Sequence, residues 1–234
     1  MSHLKRLVAP RSWPIERKKT KWIAKPLAGP HTLEESMPLA VILKEILKFV
    51  RTTKEVKKIL KEGQILVDNV VRKEVNFPIG FLDTLSVPTL NEYFRVLYDH
   101  KGRLTFLPIP KTESTIKPEK VIGKKIIKKG KIQINLNDGR NLLLDKCDYK
   151  VGDTILVDLT TKKVKDHYKL EAGNLVYLTA GNKKGSVGKL KEVIVRGLSE
   201  EPMVKYNLGG KDHLTLKKYA FVIGKDKTCI KLEK

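Results

Sequence analysis

The sequence has few cysteine and aromatic residues, and it has a shortage of acidic side chains. Its two cysteines, Cys147 and Cys229, are isolated, and no C-x-x-C or H-x-x-x-H pair of the kind that binds zinc occurs. We therefore expect reduced thiols and no metal site. Apolar runs such as Leu39 to Leu43 are too short to span a bilayer. Since the N-terminal residues also lack the apolar core of a signal peptide, we expect a cytoplasmic protein.

The shortage of acid leaves a large positive charge, with 48 Lys and Arg against 26 Asp and Glu and a net charge of +22. Basic residues exceed acidic ones in each of the stretches 1–36, 37–110, 111–168 and 169–234. A cation excess along the whole chain indicates contact with a polyanion, and nucleic acid is the obvious one, because neutralised phosphates release condensed counterions. A basic protein that is merely soluble is the alternative, since net charge does not report on fold.

Residues 1–36 contain prolines and many cations but no sustained helical or strand periodicity, so we expect an extended basic arm that becomes ordered only on binding nucleic acid. Its two tryptophans would either stack on RNA bases or dock against the protein body. The cations of residues 17–21 also fit a nuclear localisation signal. The candidate RNA-binding residues of the arm are Lys5, Arg6, Arg11, Trp13, Arg17, Lys18, Lys19, Lys21, Trp22 and Lys25.

Two amphipathic helices are predicted after the arm. Apolar residues from Leu39 to Val50 fall on one face of a helix that starts near Pro38. Thr52, with Glu55 three residues later, forms the capping-box pattern that begins a second helix. Cations at i, i+3, i+4 and i+7 of this second helix lie opposite its apolar stripe, and they are Lys54, Lys57, Lys58 and Lys61.

A hairpin is predicted after the second helix, because Gly63 stops the helix and Asp68-Asn69 separates two short apolar runs. The run from Thr52 to Val87 resembles the small RNA-binding domain named after bacterial small-subunit ribosomal protein four. That family usually has Ser-Arg at Thr53-Lys54 and Asn-Gly at Asp68-Asn69, and both departures keep the chemistry. The resemblance implies that these cations face RNA: Arg51, Lys54, Lys57, Lys58 and Lys61, with Arg72 and Lys73 at the rim.

Residues 101–168 alternate short β-rich runs with turns, which indicates an antiparallel β domain. The clearest signal is the strict alternation from Ile132 to Leu136, followed by a turn and the apolar run from Leu142 to Leu144. Lys124 and Lys125 belong to a cation cluster at one end of this region. Such a cluster either discourages edge-to-edge aggregation of strands or contacts RNA.

A Gly-rich basic loop, 181–185, follows an apolar strand predicted at 175–178. It does not match a P-loop, because Lys183 stands where that motif needs its first glycine and no helix follows. The run resembles the KOW motif of ribosomal and transcription-elongation proteins, a strand–loop–strand within a small five-stranded barrel. Its glycines would allow a tight turn that brings the backbone, Lys183 and Lys184 close to phosphates. Lys189, in the return strand, is a further RNA-binding candidate.

The order of these segments, with the runs HLKRLVAPRSW at 3–13 and FPIGFLDTLSV at 77–87, resembles ribosomal small-subunit protein four of the archaeal and eukaryotic type. The resemblance implies a structural protein that binds small-subunit rRNA, stabilises its folding and assembly, and contacts neighbouring small-subunit proteins. It implies no catalysis, no cofactor, no small-molecule substrate and no membrane, and the short N-terminus favours an archaeal member.

The fold expected on this basis is α+β and multidomain. Its four parts are the basic arm over 1–36, the small RNA-binding domain over 37–100, a β-rich domain over 101–168 and a KOW-type five-stranded barrel over 169–234.

Two other function classes compete with this interpretation. An RNA-modifying enzyme would need paired acid–base groups or an activated nucleophile, but the histidines at 31, 100, 167 and 213 are scattered and no carboxylates cluster. A transcription-elongation factor could carry the KOW barrel, but the arm and the helix module argue against it. Copurification with polymerase rather than with ribosomes would favour the elongation factor.

Overall fold

The computed structural model describes residues 3–145, 147–195, 197 and 200–232. The chain forms two compact units. The first contains the described residues through Tyr98 together with Arg103–Lys117, and the second contains Asp99–Gly102 and the described residues from Pro118 onward. Both units are mainly antiparallel β-structure, so the protein is mostly β and has less helix than the expected α+β class.

The first unit contains nine short strands and three short helices. The strands are β1 (Leu4–Lys5), β2 (Trp22–Ile23), β3 (Ser36–Pro38), β4 (Leu66–Val67), β5 (Val70–Val71), β6 (Pro78–Gly80), β7 (Thr84–Val87), β8 (Glu92–Tyr98) and β9 (Leu104–Pro108). The α-helices are α1 (Leu39–Val41), α2 (Thr53–Lys61) and α3 (Lys111–Ser114). Short 3-10 turns lie at Arg6–Val8 and Pro88–Leu90. The main sheet has the order β5-β4-β7-β8-β9, while β1 pairs with β2 and β3 pairs with β6. Among the helices of the described chain, none has the length and apolar composition needed to cross a membrane.

The first predicted helix is only partly α-helical. After α1 the chain continues as one turn of π-helix, Ile42–Ile46, in which the Leu47 N–H donates to the Ile42 carbonyl at 2.9 Å. Ile42 and Leu43 are buried, as the apolar pattern predicts. Lys48 then adopts a positive φ of 56°, which ends the helix before the predicted end at Val50.

The second predicted helix and the hairpin after it are confirmed. Helix α2 begins after Thr52 with the predicted capping box, and Gly63 follows it with a φ of +73°. Strands β4 and β5 pair in the antiparallel sense, and the turn residues Asp68 and Asn69 have φ values of 51° and 61°. Two successive left-handed residues are what a two-residue turn between twisted strands requires, and Asp and Asn tolerate that conformation better than most side chains.

The N-terminal segment is packed on the first unit, which corrects the expectation of an arm that orders only on RNA. The Trp13 side chain is 2% exposed, and its Nε1 donates to the Ser36 carbonyl at 2.6 Å. The Leu104 N–H donates to the Ser12 carbonyl at 2.8 Å, so the segment is also tied to β9. These buried contacts give the segment fixed partners within the protein itself.

The second unit contains two five-stranded antiparallel sheets, each over its own apolar core. One sheet has the order β12-β11-β10-β13-β14, and the other has the order β18-β17-β16-β15-β19. Short 3-10 turns lie at Lys128–Gly130 and Lys217–Tyr219. The first strand, β10 (Ile116–Ile126), begins in the first unit, to which Ile116 and Lys117 belong, and continues in the second. The other strands are β11 (Ile132–Leu136), β12 (Asn141–Leu144), β13 (Thr154–Asp158), β14 (Val164–Tyr168), β15 (Leu175–Leu178), β16 (Val187–Ile194), β17 (Met203–Leu208), β18 (Lys211–Leu216) and β19 (Ala220–Gly224).

The observed units differ from the four expected segments at two places. The boundary expected between residues 100 and 101 lies inside the hairpin that joins β8 and β9, because β9 pairs along its length with β8. The boundary expected between residues 168 and 169 lies between two sheets that belong to the same compact unit. The first difference follows from strand pairing, which is not visible in composition.

A buried polar network holds the first unit together. The Lys117 ammonium lies 2.6 Å from a carboxylate oxygen of Asp68 and 2.6 Å from one of Asp83. The second oxygen of Asp83 lies 2.8 Å from Nε2 of His31 and accepts the Gly80 N–H at 2.9 Å. The network therefore joins four distant parts of the sequence, and each buried charge in it has a partner of opposite sign.

Candidate nucleic-acid interface

Helix α2 presents one buried stripe and one charged face. Val56 and Leu60 are fully buried on the inner side. The outer side carries four lysines at helical spacing, and all four are exposed: Lys54, Lys57, Lys58 and Lys61. Side chains three and four residues apart are neighbours on a helix, so these ammonium groups form one continuous cationic face.

The start of α2 is fixed by its cap. The Glu55 N–H donates to the Thr52 hydroxyl oxygen at 3.3 Å, while the Arg51 and Thr52 N–H groups donate to the Glu55 carboxylate at 2.9 and 3.3 Å. The Arg51 backbone bond, followed by those from Thr52, lowers the pKa of the Glu55 carboxyl below its usual value. The cap thereby fixes the direction of the lysine face, and the exposed side chain of Arg51 extends it at the N-terminal end.

The N-terminal strand pair carries a second cationic surface, centred on Trp22. This ring is 50% exposed, and the β1–β2 register places exposed Lys5 directly opposite it. The Lys21 ammonium lies 5.4 Å from the Trp22 ring centroid, and the His3 ring lies 5.7 Å from it at a tilted angle. An exposed aromatic ring among cations suits contact with a nucleobase and its phosphate.

Two residues expected to contact RNA are instead buried in the fold. The Arg6 side chain is 3% exposed and forms a two-pronged ion pair with Glu45, at 2.6 and 2.9 Å. This pairing raises the pKa of the Arg6 guanidinium, chiefly through the hydrogen bond with Glu45. Trp13 is enclosed as described above and cannot stack on a base. Both predictions are corrected because each side chain has a partner far away in the sequence.

Other basic residues of the first unit divide by exposure. The Arg17 guanidinium donates to the carbonyls of Ala9 and Pro10 at 2.7 and 2.8 Å, so it braces a turn of its own segment. The Arg72 guanidinium lies 4.4 Å from the Phe77 ring centroid, and Lys25 is half-buried. The remaining candidates of this unit are exposed, and they are Arg11, Lys18, Lys19 and Lys73.

In the second unit the candidates lie in two separate places. Lys124 and Lys125 are exposed on β10, and the Lys124 ammonium donates to the Cys147 carbonyl at 2.8 Å. Lys183 in the Gly-rich loop and Lys189 on β16 are exposed, whereas Lys184 is half-buried.

The Gly-rich loop has a defined conformation. Gly181 and Gly185 have φ values of +88° and +85°, and the Gly185 N–H donates to the Leu178 carbonyl at 2.8 Å. Gly188 is needed for a different reason, since a Cβ there would lie 2.7 Å from the Tyr206 ring and 2.8 Å from the backbone oxygen of Asn207. The loop is thus a tight turn that holds its lysines at a fixed place beside the sheet.

The described residues show no group of three His, Cys, Asp or Glu side chains that could hold a metal ion. The titratable groups of the Lys117 network have side chains that are only 0–6% exposed. A network enclosed in this way offers no surface to a substrate, so it stabilises the fold.

Sequence reasoning missed His3, whose ring lies beside Trp22, and Tyr219, whose ring centroid lies 5.4 Å from the Lys218 ammonium. His3 approaches Trp22 only because β1 and β2 pair across a loop of more than a dozen residues. Tyr219 lies in the 3-10 turn Lys217–Tyr219, where no motif marks it. In both cases the only available signal is an aromatic residue beside lysines.

Comparisons with known proteins agree on one family. A family model described as Ribosomal family S4e matches residues 90–164, and one described as RS4NT (NUC023) domain matches residues 2–34. Small ribosomal subunit protein eS4 of Methanosphaera stadtmanae is 44% identical over 98% of this chain and 95% of its own length. The eS4 protein of Methanocaldococcus jannaschii is 40% identical over 98% of this chain and 97% of its own. The crystal structure of 30S ribosomal protein S4e from Thermoplasma acidophilum is 28% identical, with a TM-score of 0.71 over 83% of this chain and 97% of that chain.

Proposed function

The chain belongs to the S4e family of ribosomal proteins, and from that premise we propose that it is a structural constituent of the small ribosomal subunit that binds small-subunit rRNA. It stabilises the folding and assembly of that RNA and contacts neighbouring small-subunit proteins. It works by binding in the cytoplasm, within the ribosome, and needs no catalytic step, cofactor, membrane or small-molecule substrate.

The observation that carries this proposal is the lysine face of α2, defined as Lys54, Lys57, Lys58 and Lys61. The apolar side of the helix is already buried, so the exposed lysines are free to neutralise phosphates rather than to pack. Each neutralised phosphate releases counterions and adds affinity independent of sequence. Helix α2 and the hairpin β4–β5 together act as the small RNA-binding module.

Two further surfaces support the proposal. In the first unit, Trp22 with Lys5 and Lys21 supplies an exposed ring beside cations. In the second unit, the Gly-rich loop and the strands β15 and β16 that flank it act as a KOW-type element, with Lys183 and Lys184 at phosphates. Backbone and lysine contacts of this kind position a protein on RNA without reading its sequence.

Replacing Lys57 and Lys58 together with alanine is expected to weaken binding to small-subunit rRNA and to make it less salt-dependent. Each phosphate-contacting lysine contributes about one unit to the slope of log K against log salt, so the double variant should lose about 2. Filter binding or fluorescence anisotropy across a salt series measures this slope.

The matched control is Lys225→Ala with Lys227→Ala, which removes the same charge from two exposed lysines outside the candidate surfaces. This control should leave the salt slope within experimental error of the unchanged protein. If both double variants lower the slope equally, general charge rather than the α2 face binds the RNA.

A further inference from the structure

A groove of about 550 Å³ lies beside the Gly-rich loop in the second unit. One wall is the loop itself, a second is the β17–β18 hairpin, and a third is the 3-10 turn at residues 217–219. Three aromatic side chains line it, those of Tyr206, His213 and Tyr219. A cavity of this size is within the usual range for a small organic ligand.

The turn that carries Tyr219 is held by a half-buried lysine, Lys120. The Lys120 ammonium donates to the backbone carbonyls of Lys217 and Lys218 at 3.0 Å each and to that of Ala220 at 2.6 Å. These three acceptors match the three N–H groups of a protonated lysine. Removal from water lowers the pKa of the Lys120 ammonium to about 8.

The remaining carbonyl of the turn is also occupied. The backbone carbonyl oxygen of Tyr219 accepts a hydrogen bond from the Thr179 N–H at 3.0 Å and another from the Thr179 hydroxyl at 3.1 Å. Every backbone carbonyl from residue 217 to 220 therefore has a donor, and the backbone that carries the Tyr219 ring is held in place before any ligand arrives. Because this wall is already formed, less conformational entropy is lost when a ligand binds.

The lining has the chemistry of a nucleotide site. None of the described residues that line the groove is acidic, and exposed Lys183 stands at its edge. The Lys218 ammonium lies 5.4 Å from the Tyr219 ring centroid and is itself paired with Glu201 at 2.8 Å. Apolar and aromatic walls suit a flat base, and the lysine at the edge suits the phosphate attached to it.

We propose that this groove binds an unpaired nucleotide of RNA, with the base against Tyr219 and His213 and a phosphate beside Lys183. The inference rests on the proposed RNA-binding function and adds a base contact to the phosphate contacts. Lys120 is the positioning residue, because it acts on the ligand only through the turn that carries Tyr219.

The test compares two single-stranded RNA probes on the full chain. One is hexauridylate, and the other is a hexamer with the same phosphates but without bases. Stacking of one base on one aromatic ring contributes roughly 10-fold in affinity, so hexauridylate should bind about 10-fold more tightly than the abasic probe. Trp22 is the other candidate stacking ring, so the variants are made in the Trp22→Ala background. There Tyr219→Ala should abolish this difference, and Tyr219→Phe should keep it because the ring remains.

Two further variants separate the roles of the residues. Lys183→Ala should lower the affinity for both probes by the same factor, since it removes a phosphate contact that both probes share. Lys120→Met should reduce the difference between the probes while leaving the abasic affinity unchanged, which a general loss of structure would not do. A hexauridylate with one 4-thiouridine gives an independent readout, and its photocrosslinks should map to Tyr219 or His213.

Equal affinities of the unchanged protein for the two probes, or the absence of photocrosslinks at both Tyr219 and His213, would overturn the base contact and leave the proposed RNA binding intact. Binding of neither probe, nor of small-subunit rRNA, would instead count against the proposed function. Chemical-shift changes at the groove with an acidic apolar peptide but not with hexauridylate would also overturn the inference, by making the groove a protein-docking site.

Discussion

Lys117→Met is expected to destabilise the first unit by about 3–5 kcal/mol, the usual cost of breaking a buried ion pair by removing one partner. The side chain of Lys117 is 0% exposed. Its ammonium lies between the carboxylates of Asp68 and Asp83, 2.6 Å from an oxygen of each. Without the ammonium, two buried carboxylates would face each other with less compensation. Methionine has nearly the same length, so the loss reports on charge rather than on an empty space.

The same network predicts how the free energy of unfolding changes at low pH. Burial alone would raise the pKa of the Asp83 carboxyl, but Lys117 and His31, with the Gly80 N–H, outweigh it and hold that pKa well below its usual value. A carboxyl whose pKa is depressed in the folded state stabilises the fold at pH values above its unfolded-state pKa of about 3.9. This contribution is lost as the pH falls below that value towards the folded-state pKa. In Lys117→Met burial then dominates and raises the pKa of the Asp83 carboxyl above its unfolded value. Its contribution to the acid loss should therefore disappear, and protonation of the carboxyl should restore part of the lost stability as pH falls.

Urea unfolding followed by tryptophan fluorescence measures both effects, since both tryptophans, Trp13 and Trp22, lie in the first unit. The matched control is Lys125→Met, an exposed position on the same strand β10. It should change the free energy of unfolding by less than about 0.5 kcal/mol. Similar losses in the two variants would contradict a structural role for the buried network.

Trp13→Ala is expected to lower the free energy of unfolding by about 3–5 kcal/mol. It should also detach the N-terminal segment from the rest of the first unit. The indole is 2% exposed, and its Nε1–H is bonded to the Ser36 carbonyl at 2.6 Å. Removing it opens a large cavity and leaves a buried acceptor without its donor. Amide exchange should therefore accelerate from Leu4 to Ile23, while the main sheet of the first unit keeps its protection.

The matched control for this prediction is Trp22→Ala in the same segment. Because Trp22 is 50% exposed, its removal should cost far less stability, within about 1 kcal/mol. Its effect should instead be on RNA affinity, about 10-fold for a stacked base. Rapid amide exchange of the segment in the unchanged protein would contradict docking and restore the idea of an arm ordered by RNA.

What the sequence predicted well is what local chemistry determines. The capping box at Thr52 and Glu55 and the turn at Asp68-Asn69 need only neighbours a few residues away. The spacing of the α2 lysines likewise follows from helical geometry alone. These elements are confirmed with nearly the predicted bounds.

What the sequence did not predict depends on partners far along the chain. Arg6 and Trp13 look like free cationic and aromatic residues until Glu45 and Ser36 are placed beside them. Lys117 gives no sign of its burial, since its neutralising carboxylates lie 49 and 34 positions earlier. A chain so rich in lysine hides a buried lysine such as Lys117 among exposed ones, and only tertiary structure separates them.

Sedimentation of the native protein in cell lysate, before and after a high-salt wash, tests the proposed function most directly. An rRNA-binding constituent should sediment with small ribosomal subunits at a ratio near one to one and should remain there after moderate salt. Protein that is free, or that comigrates with RNA polymerase, would contradict the ribosomal role and favour an elongation factor.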